Sequence, residues 1–457
     1  MKYKEIVAMT SVLIAMGAFV YVSATDNLPQ SQSQAEPDNA NSQTELADKQ
    51  RNVAKKGNLH PDAQWFPKAG LGLFMHWGIH SVAGVQPSWA IFESYGKKPS
   101  AEYLALAEKF DPQNYDPDKW FAAAARAGFK YVVLTAKHAD GYALWPSEYG
   151  NFHSQRDLLK PYVEAARKHG LKVGFYYSPS DWTFNPAGWP YMGYPRRDGL
   201  KEHALKFGDL DPVEVQARFE TIYAYVKGQL TELLTRYGQV DLLWLDGFDW
   251  PGTLDDHGLE TLAYLRTLQP GIVINDRWYL WPKPRTIGDY QTFEQTPPRT
   301  RPPGWWEFCN TIKGHWGYSP THKIRPVEQV LMQLAKARAW GGNYLPNIGP
   351  APDGTLPDDV YKFFDEMAAW MKHSGEAVGD VQLAPASVTS NVPVTVKDKQ
   401  TWYFIATEGD KIEATGVPEP ATAVLLRTGE KLTFEYAAGK LTIAGVRPVD
   451  AIKVTWK

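Results

Sequence analysis

Two acidic residues stand where the sequence predicts that buried strands end, and aromatic residues surround both. Asp246 follows the apolar run 242–245 and precedes Gly247. Glu294 closes the strand-like run 288–294. Glycosidic bond cleavage uses two such carboxyl groups across a cleft, one as nucleophile and one as proton donor to the leaving oxygen. The alternative for Asp246 is that it caps the helix after its strand, a common role of aspartate.

Other chemically useful residues also follow predicted strands. In a closed barrel of parallel strands, all of these positions converge on one mouth. Each residue alone has a structural explanation: a histidine can be hydrogen-bonded in the core, and Arg277 can pair with Asp276. Their coincidence at one topological end favours a site. The strand-end residues are His76, Trp77, His138, Tyr176, Tyr177, Trp244, Asp246, Arg277 and Glu294.

The elements that must position these residues alternate between strand and helix from about residue 60 to residue 375. Eight strands in this order are typical of a (β/α)8 barrel, which we expect to be irregular because no clear helix separates strands six and seven. A doubly wound sheet is the alternative, but polar residues after nearly every strand suit a closed ring. The predicted strands are 72–78, 131–136, 172–178, 242–247, 271–278, 288–294, 306–312 and 343–349, and the predicted helices are 120–128, 157–170, 213–237, 255–268, 326–340 and 357–373.

Composition changes mark the predicted domain limits. Residues 1–24 have a basic start, an apolar stretch and a small-residue cleavage site, as in a secretory signal, although an uncleaved anchor is the alternative. Residues 25–58 are polar and predict a disordered linker. The barrel is assigned to residues 59–376, and short strands with turn residues predict a small β-sandwich over 381–457. The body of the protein is therefore expected to be exported, to the periplasm or the extracellular space.

The bulk composition excludes several functions. The net charge of the 457 residues is only −3, without a long block of one sign, so neither nucleic acid nor an anionic membrane is an expected partner. Cys309 is the single cysteine, which we interpret as a small buried side chain rather than a nucleophile. The histidines lack zinc-site spacing, so a zinc site is not expected, and no serine-hydrolase elbow is found.

Six motifs together resemble the retaining α-L-fucosidases of glycoside hydrolase family twenty-nine. The resemblance runs from about residue 60 to the carboxyl terminus, and the motifs occur in the family's order. The motifs are Phe74-Met-His76-Trp77-Gly78, Thr135-Ala-Lys137-His138-Ala-Asp140-Gly141-Tyr142, Phe175-Tyr176-Tyr177-Ser178, Leu243-Trp244-Leu-Asp246-Gly247, Asn275-Asp-Arg277-Trp278 and Trp306-Glu307-Phe-Cys-Asn-Thr.

The resemblance implies that neither a metal nor a cofactor is needed, and it implies roles for single residues. It implies that Asp246 is the nucleophile and Glu294 the acid/base, with Glu307 as runner-up because the Trp-Glu pair recurs in the family. We prefer Glu294 because it ends its strand run, whereas Glu307 starts one and could face the stabilising end of the barrel. The substrate-binding residues implied by the resemblance are His76, Trp77, Trp89, Glu93, His138, Tyr176, Trp244 and Arg277.

The chain departs from the family pattern at two positions. Ala139 stands where the family usually has a second histidine, and Ser88 stands where it usually has a glutamate before tryptophan, unless Glu93 takes that role. Smaller residues leave room, so these departures predict a substituent such as sulfate on one edge of the sugar. Arg277 or a lysine near the mouth (97 or 98) could pair with that sulfate.

The sequence therefore predicts an exported, exo-acting, retaining α-L-fucosidase that acts on fucose-containing oligo- or polysaccharides. A hydrolase for substituted fucose or α-L-galactosides is the alternative within the same class. A non-catalytic glycan-binding protein is the alternative from another class, and the presence of both Asp246 and Glu294 argues against it. The oligomeric state is left open.

Overall fold

The computed structural model describes residues 57–91, 100–181, 183, 212–247, 255–278 and 288–457. The predicted signal, nearly all of the predicted linker and Glu93 lie outside this part of the chain. The strands before residue 380 are β1 Gly72–Met75, β2 Tyr131–Lys137, β3 Lys172–Tyr177, β4 Leu242–Leu245, β5 Val273–Ile274, β6 Tyr290–Glu294, β7 Trp305–Thr311 and β8 Asn343–Ile348. The α-helices are α1 Phe66–Ala69, α2 Ser100–Leu104, α3 Pro117–Arg126, α4 Leu159–Lys168, α5 Pro212–Arg236, α6 Asp255–Leu268, α7 Val327–Ala339 and α8 Asp358–Ser374, and short 3-10 turns occupy Pro61–Ala63, Ile79–Val82, Trp89–Ile91, Ala105–Lys109 and Gly375–Ala377.

These eight strands form one parallel sheet in the order β5-β4-β3-β2-β1-β8-β7-β6. β1 pairs with β8, and the two edge strands approach each other through a single parallel bridge between Asn275 and Tyr290. The sheet is thus a nearly closed barrel, which confirms the predicted fold class. The expected irregularity is also present: residues 295–304, all described, connect β6 to β7 without a helix.

The strands are buried on both faces because one set of side chains fills the barrel and the alternate set packs under the helices. Along β2, Tyr131 and Val133 belong to the inner cluster, whereas Val132 and Leu134 belong to the outer one. This alternation decides which residue after a strand can reach the mouth and which is directed outward.

Local signals in the sequence set the ends of the elements. α3 begins where the Asp116 carboxylate accepts the N–H of Lys119, and Gly128 follows its end with a φ of +90°. The fifth strand is shorter than predicted and ends at Ile274. After it, the side-chain amide of Asn275, rather than the backbone, bonds the N–H and the carbonyl of Leu245 on the neighbouring strand. The other predicted strands and helices agree with the structure to within a few residues.

Two antiparallel sheets follow the barrel, as expected for a β-sandwich. Their apolar residues form a separate core. The sandwich contacts the barrel through hydrogen bonds from Trp370 Nε1 to the Val449 carbonyl (2.8 Å) and from Thr395 Oγ1 to the Ala377 carbonyl (2.7 Å). The strands are β9 Gln382–Leu383, β10 Thr389–Ser390, β11 Val394–Asp398, β12 Thr401–Ile405, β13 Lys411–Thr415, β14 Pro420–Leu425, β15 Glu430–Lys431, β16 Glu435–Ala437, β17 Lys440–Ala444 and β18 Ala451–Trp456, in sheets β10-β13-β17-β16 and β15-β14-β18-β12-β11-β9.

Two further observations on this fold concern the single cysteine and the possibility of a membrane-spanning helix. Cys309 lies in the inner barrel cluster with 1% of its surface exposed, and burial raises the pKa of its thiol well above the ordinary value. Among the residues that the structure describes, no helix is both long enough and apolar enough to span a bilayer.

Candidate active site

A cavity of about 290 Å³ opens at the carboxyl-terminal ends of the barrel strands. This is the end at which barrel enzymes place their chemistry. Eight of the proposed site residues line it, and Trp316, Ser178 and Ser180 are among the additions. The lining is Phe74, His76, Gln86, Pro87, Trp89, His138, Ala139, Tyr176, Ser178, Ser180, Trp244, Asp246, Gly247, Arg277, Glu294 and Trp316.

Asp246 lies directly after β4, with 27% of its side chain exposed. Its Oδ2 accepts a hydrogen bond from the Tyr176 hydroxyl at 2.9 Å, and its Oδ1 accepts from Arg277 Nε at 2.8 Å. Gly247 follows with a φ of +74°, a conformation that favours glycine, and its N–H donates to the Arg277 carbonyl. The next helix in the described part of the chain is Asp255–Leu268, and Asp246 lies too far before Asp255 to cap it. Each of these side-chain contacts is to a donor, which suits a carboxylate that attacks as an anion.

Arg277 connects the two proposed catalytic carboxylates. While its Nε and a terminal nitrogen contact Asp246, its other terminal nitrogen donates to Glu294 Oε2 at 2.8 Å. Glu294 is the last residue of β6, and 36% of its side chain is exposed, so solvent can exchange protons with it. One guanidinium thus holds two acids at the same cavity, the more exposed of which lies at the rim.

Stacked rings form the floor beneath these charges. Tyr176 and Trp244 are register partners on neighbouring strands, and their rings stack at 5.5 Å with an interplanar angle of 19°. The Arg277 guanidinium lies 5.1 Å from the Trp244 ring centroid, a cation–π contact. An aromatic floor of this kind suits the apolar C–H face of a sugar.

His76 is fixed as a neutral acceptor. Its Nδ1 contacts Asn347 Oδ1 at 2.7 Å, while the amide nitrogen of Asn347 donates to the Trp316 carbonyl. An amide oxygen only accepts, so the His76 proton resides on Nδ1 and the lone pair on Nε2 is left for a ligand. Burial lowers the pKa of His76 to about 4, which keeps the ring uncharged at neutral pH. His76 therefore suits a sugar hydroxyl that donates its proton.

His138 is held by a serine hydroxyl. Ser88 Oγ contacts His138 Nδ1 at 2.5 Å and accepts the N–H of Asp140 at 2.8 Å. These two contacts fix the position of the imidazole, and they leave its Nε2 as the ring nitrogen available to a ligand. Burial lowers the pKa of His138 well below its ordinary value, and its ring stacks on Tyr176 at 5.2 Å. The two histidines thus present two buried imidazoles to the cavity, with ring centroids 5.8 Å apart.

Two sequence expectations about the site, those for Trp77 and Ser88, are wrong, and the runner-up acid/base Glu307 lies away from the cavity, as the preference for Glu294 assumed. Trp77 does not line the cavity: it is 2% exposed, donates to the Ala351 carbonyl at 2.9 Å and packs in the outer core, because it faces away from its neighbour His76. Glu307 does not line the cavity either, because it is the third residue of β7 and is fully buried inside the barrel. Ser88 does not leave room for a substituent, because it is fully buried and bonded to His138.

Trp89 and Ala139 lie together at one corner of the cavity, where Ala139 packs against Trp89 and Ile91. Glu93 and residues 97 and 98 fall outside the described residues. Sequence reasoning missed Trp316, whose ring centroid lies 4.9 Å from that of His76. The available signal was an indole in the loop after β7, a position equivalent to the other site loops.

Within the described ranges, no three His, Cys, Asp or Glu side chains are arranged to hold a metal ion. The expectation that the protein needs neither metal nor cofactor stays a prediction.

Comparison with known proteins agrees with this geometry. The α-L-fucosidase family model matches residues 37–376. Tissue α-L-fucosidase of Rattus norvegicus is 29% identical over 430 residues, which are 86% of each chain. The structure of α-L-fucosidase isoenzyme 1 from Paenibacillus thiaminolyticus has a TM-score of 0.74 at 28% identity and covers 87% of this chain and 99% of its own.

A family 29 α-L-fucosidase from Bacteroides thetaiotaomicron, solved as a trapped covalent intermediate with 2-fluoro-fucosyl fluoride, has a TM-score of 0.72 at 25% identity. The alignment covers 88% of this chain and 97% of that one. The fold, the family model and these relatives lead to one assignment: the chain is a glycoside hydrolase that belongs to the α-L-fucosidase family, glycoside hydrolase family 29.

Proposed function

We propose that the protein is an exo-acting α-L-fucosidase that removes terminal α-L-fucosyl residues from glycans with retention of configuration. The observation that carries this proposal is the contact of Arg277 with both Asp246 and Glu294. Two acids that contact one guanidinium lie at the same cavity, which is the arrangement that a nucleophile and a proton donor need for glycosidic cleavage.

In the first step, the Asp246 carboxylate attacks the anomeric carbon as the bond to the leaving oxygen breaks, and Glu294 gives its proton to that oxygen. In the second step, Glu294 takes a proton from water, the water oxygen attacks the anomeric carbon, and the bond to Asp246 breaks. The trapped intermediate of the Bacteroides thetaiotaomicron relative supports a covalent route of this kind. Tyr176 and Arg277 hold the attacking oxygens of Asp246 in place throughout.

The substrate proposed is unsubstituted fucose. The corner at Ala139 is lined by apolar groups of Trp89 and Ile91, which suit a methyl group or a ring face better than a sulfate. His76 requires a sugar hydroxyl that still carries its proton, which an esterified oxygen lacks.

The test of function is hydrolysis of a chromogenic α-L-fucoside, with the first-formed sugar followed by proton NMR. We expect the α-anomer to form first. Release of the β-anomer first would contradict retention, and an inactive protein that binds fucosylated glycans would make it a binding protein instead.

The test of substrate is kcat/KM for the plain fucoside against its mono-sulfated forms and the α-L-galactoside. We expect the plain fucoside to be fastest. A sulfated form or the galactoside that is hydrolysed faster would contradict the assignment of fucose.

We also propose that the enzyme is exported, on the basis of the signal-like residues 1–24. Cell fractionation with amino-terminal sequencing of the recovered protein tests this. A mature protein that retains residue 1 and remains in the cytoplasm would contradict it.

A further inference from the structure

Glu307 is a carboxyl group in the centre of the barrel that the proposed mechanism does not use. None of its surface is exposed. Its Oε2 accepts the hydroxyl of Tyr131 at 2.5 Å, and its Oε1 accepts the indole N–H of Trp244 at 2.9 Å. Burial of a carboxyl group is unfavourable unless hydrogen bonds compensate, and desolvation raises the pKa of Glu307 to about 7. A carboxyl group buried at this cost is expected to have a structural or functional role, and its hydrogen-bond partners indicate which.

What Glu307 holds is the ring that supports both donors to Asp246. The Trp244 indole stacks on Tyr176, and the Arg277 guanidinium lies over the same indole. Tyr176 and Arg277 are the two side chains that donate to Asp246. A change in the tilt of the indole therefore reaches both hydrogen-bond donors at once.

We propose that Glu307 is a positioning residue for the reaction at Asp246, acting by accepting the indole N–H of Trp244. This inference rests on the proposed function. Glu307 touches no reacting atom, because it lies below the cavity floor and does not line the cavity. Its effect passes through Trp244, which fixes the geometry of attack, and misplacement of a nucleophile by about 1 Å can lower a rate by roughly 10²-fold.

Two substitutions of similar size separate this role from that of an acid/base. Glu307→Gln keeps an oxygen that can accept the Trp244 N–H. Its amide nitrogen then lies beside Tyr131, whose hydroxyl oxygen can accept a hydrogen bond from it. Glu307→Leu removes both acceptors. We expect Glu307→Gln to keep kcat within about threefold, and Glu307→Leu to lose roughly 10- to 100-fold in kcat with a smaller change in KM. Both effects should be equal for fucosides with good and poor leaving groups.

A selective loss by Glu307→Gln on poor leaving groups would make Glu307 the proton donor and overturn the inference. A folded Glu307→Leu variant with wild-type kcat would also overturn it. If the wild-type protein hydrolyses no α-L-fucoside, the proposed function fails, whereas an active wild type with an unaffected Leu variant contradicts only the role of Glu307.

Trp244→Phe is the second variant, for the case that Glu307→Leu does not fold. It keeps an aromatic ring and Glu307 but removes the indole N–H, so kcat should again fall about tenfold with both kinds of leaving group. Tyr131→Phe is the matched control, because it removes the other hydrogen bond of Glu307 and leaves Trp244 anchored; its kcat should change less than threefold. Wild-type kcat in Trp244→Phe, or a loss in Tyr131→Phe as large as in Trp244→Phe, would overturn the inference.

Discussion

The two walls of the cavity are built on different physical principles. The wall after β1 and β2 carries His76 and His138, which are 4% and 9% exposed and neutral, each with one ring nitrogen fixed by a neighbour. The wall after β4, β5 and β6 carries charged groups whose side chains are 19–36% exposed: Asp246, Arg277 and Glu294. The difference separates recognition from chemistry: buried neutral groups discriminate between hydroxyl donors and acceptors, whereas partly solvated charged groups can exchange protons and react.

Loss of the charged wall should have the largest effect. Asp246→Ala removes the proposed nucleophile and should lower kcat by roughly 10⁴-fold or more on an activated α-L-fucoside. Azide should restore turnover, and NMR of the product should identify a glycosyl azide of inverted configuration. Asp276→Asn is the control, because Asp276 bonds Thr292 outside the cavity. Near-native activity of Asp246→Ala would show that another residue attacks.

Glu294→Ala changes the same wall but should remove only the donation of a proton to the leaving group. Substrates with poor leaving groups need that proton, so their kcat/KM should fall by roughly 10²- to 10⁴-fold. A dinitrophenyl fucoside, whose leaving group needs little protonation, should lose far less. Equal losses on both substrates would remove Glu294 from the role of acid.

His76→Ala tests the neutral wall, with a smaller effect of a different kind. Losing one acceptor for a buried hydroxyl should cost about 1–3 kcal/mol, which is roughly a 5- to 140-fold loss in kcat/KM without dependence on the leaving group. One of the mono-deoxy fucosides should be equally poor for the wild type and the variant, because it lacks the hydroxyl that His76 binds.

Trp77→Phe is the matched control for His76→Ala, since it changes the next residue in the chain but lies in the outer core. Its kcat/KM should stay near that of the wild type. If all mono-deoxy substrates lose the same factor again in His76→Ala, His76 binds no single hydroxyl.

The smallest effect on activity is expected at a histidine next to the neutral wall, where a substitution should change the pH dependence of stability. His80 is 1% exposed, and burial lowers its pKa to about 3. The unfolded chain therefore binds a proton at this residue near pH 6.5, before the folded chain does. The free energy of unfolding falls as the pH drops from 6.5 towards 3, by at most about 1.4 kcal/mol per pH unit from this group.

His80→Leu should flatten the dependence of Tm on pH in that window and leave activity at neutral pH within a few-fold. His60→Leu, at a side chain that is 38% exposed, is the control. An unchanged pH dependence in His80→Leu would show that His80 does not stay neutral as the folded protein is acidified.

The barrel and the charged wall could be predicted because their signals are local. The run Leu242–Leu245 fits a strand buried on both faces, and Asp246 with Gly247 marks its end. Family membership was likewise predicted from short motifs. Strand ends converge in any closed barrel, so Asp246, Arg277 and Glu294 could be grouped without knowledge of their contacts.

The neutral wall could be predicted only in part, because distant residues determine its directions. The sequence places His76 and Trp77 side by side but does not say which one turns inward. Ser88 adopts a φ of +53°, and its orientation depends on Tyr103 and Asp140. No pattern in the loop around Ser88 reveals these partners.

The hydrogen bond between His76 and Asn347 also affects the order in which the protein becomes active. The two residues are 271 positions apart, and they meet because β1 pairs with β8, the last strand of the barrel. A chain in which β8 has not yet joined the sheet contains both proposed catalytic carboxylates but lacks the partner that sets the proton of His76. Competence to bind sugar therefore arrives with one of the final steps of barrel assembly, after the reactive groups are already in the chain.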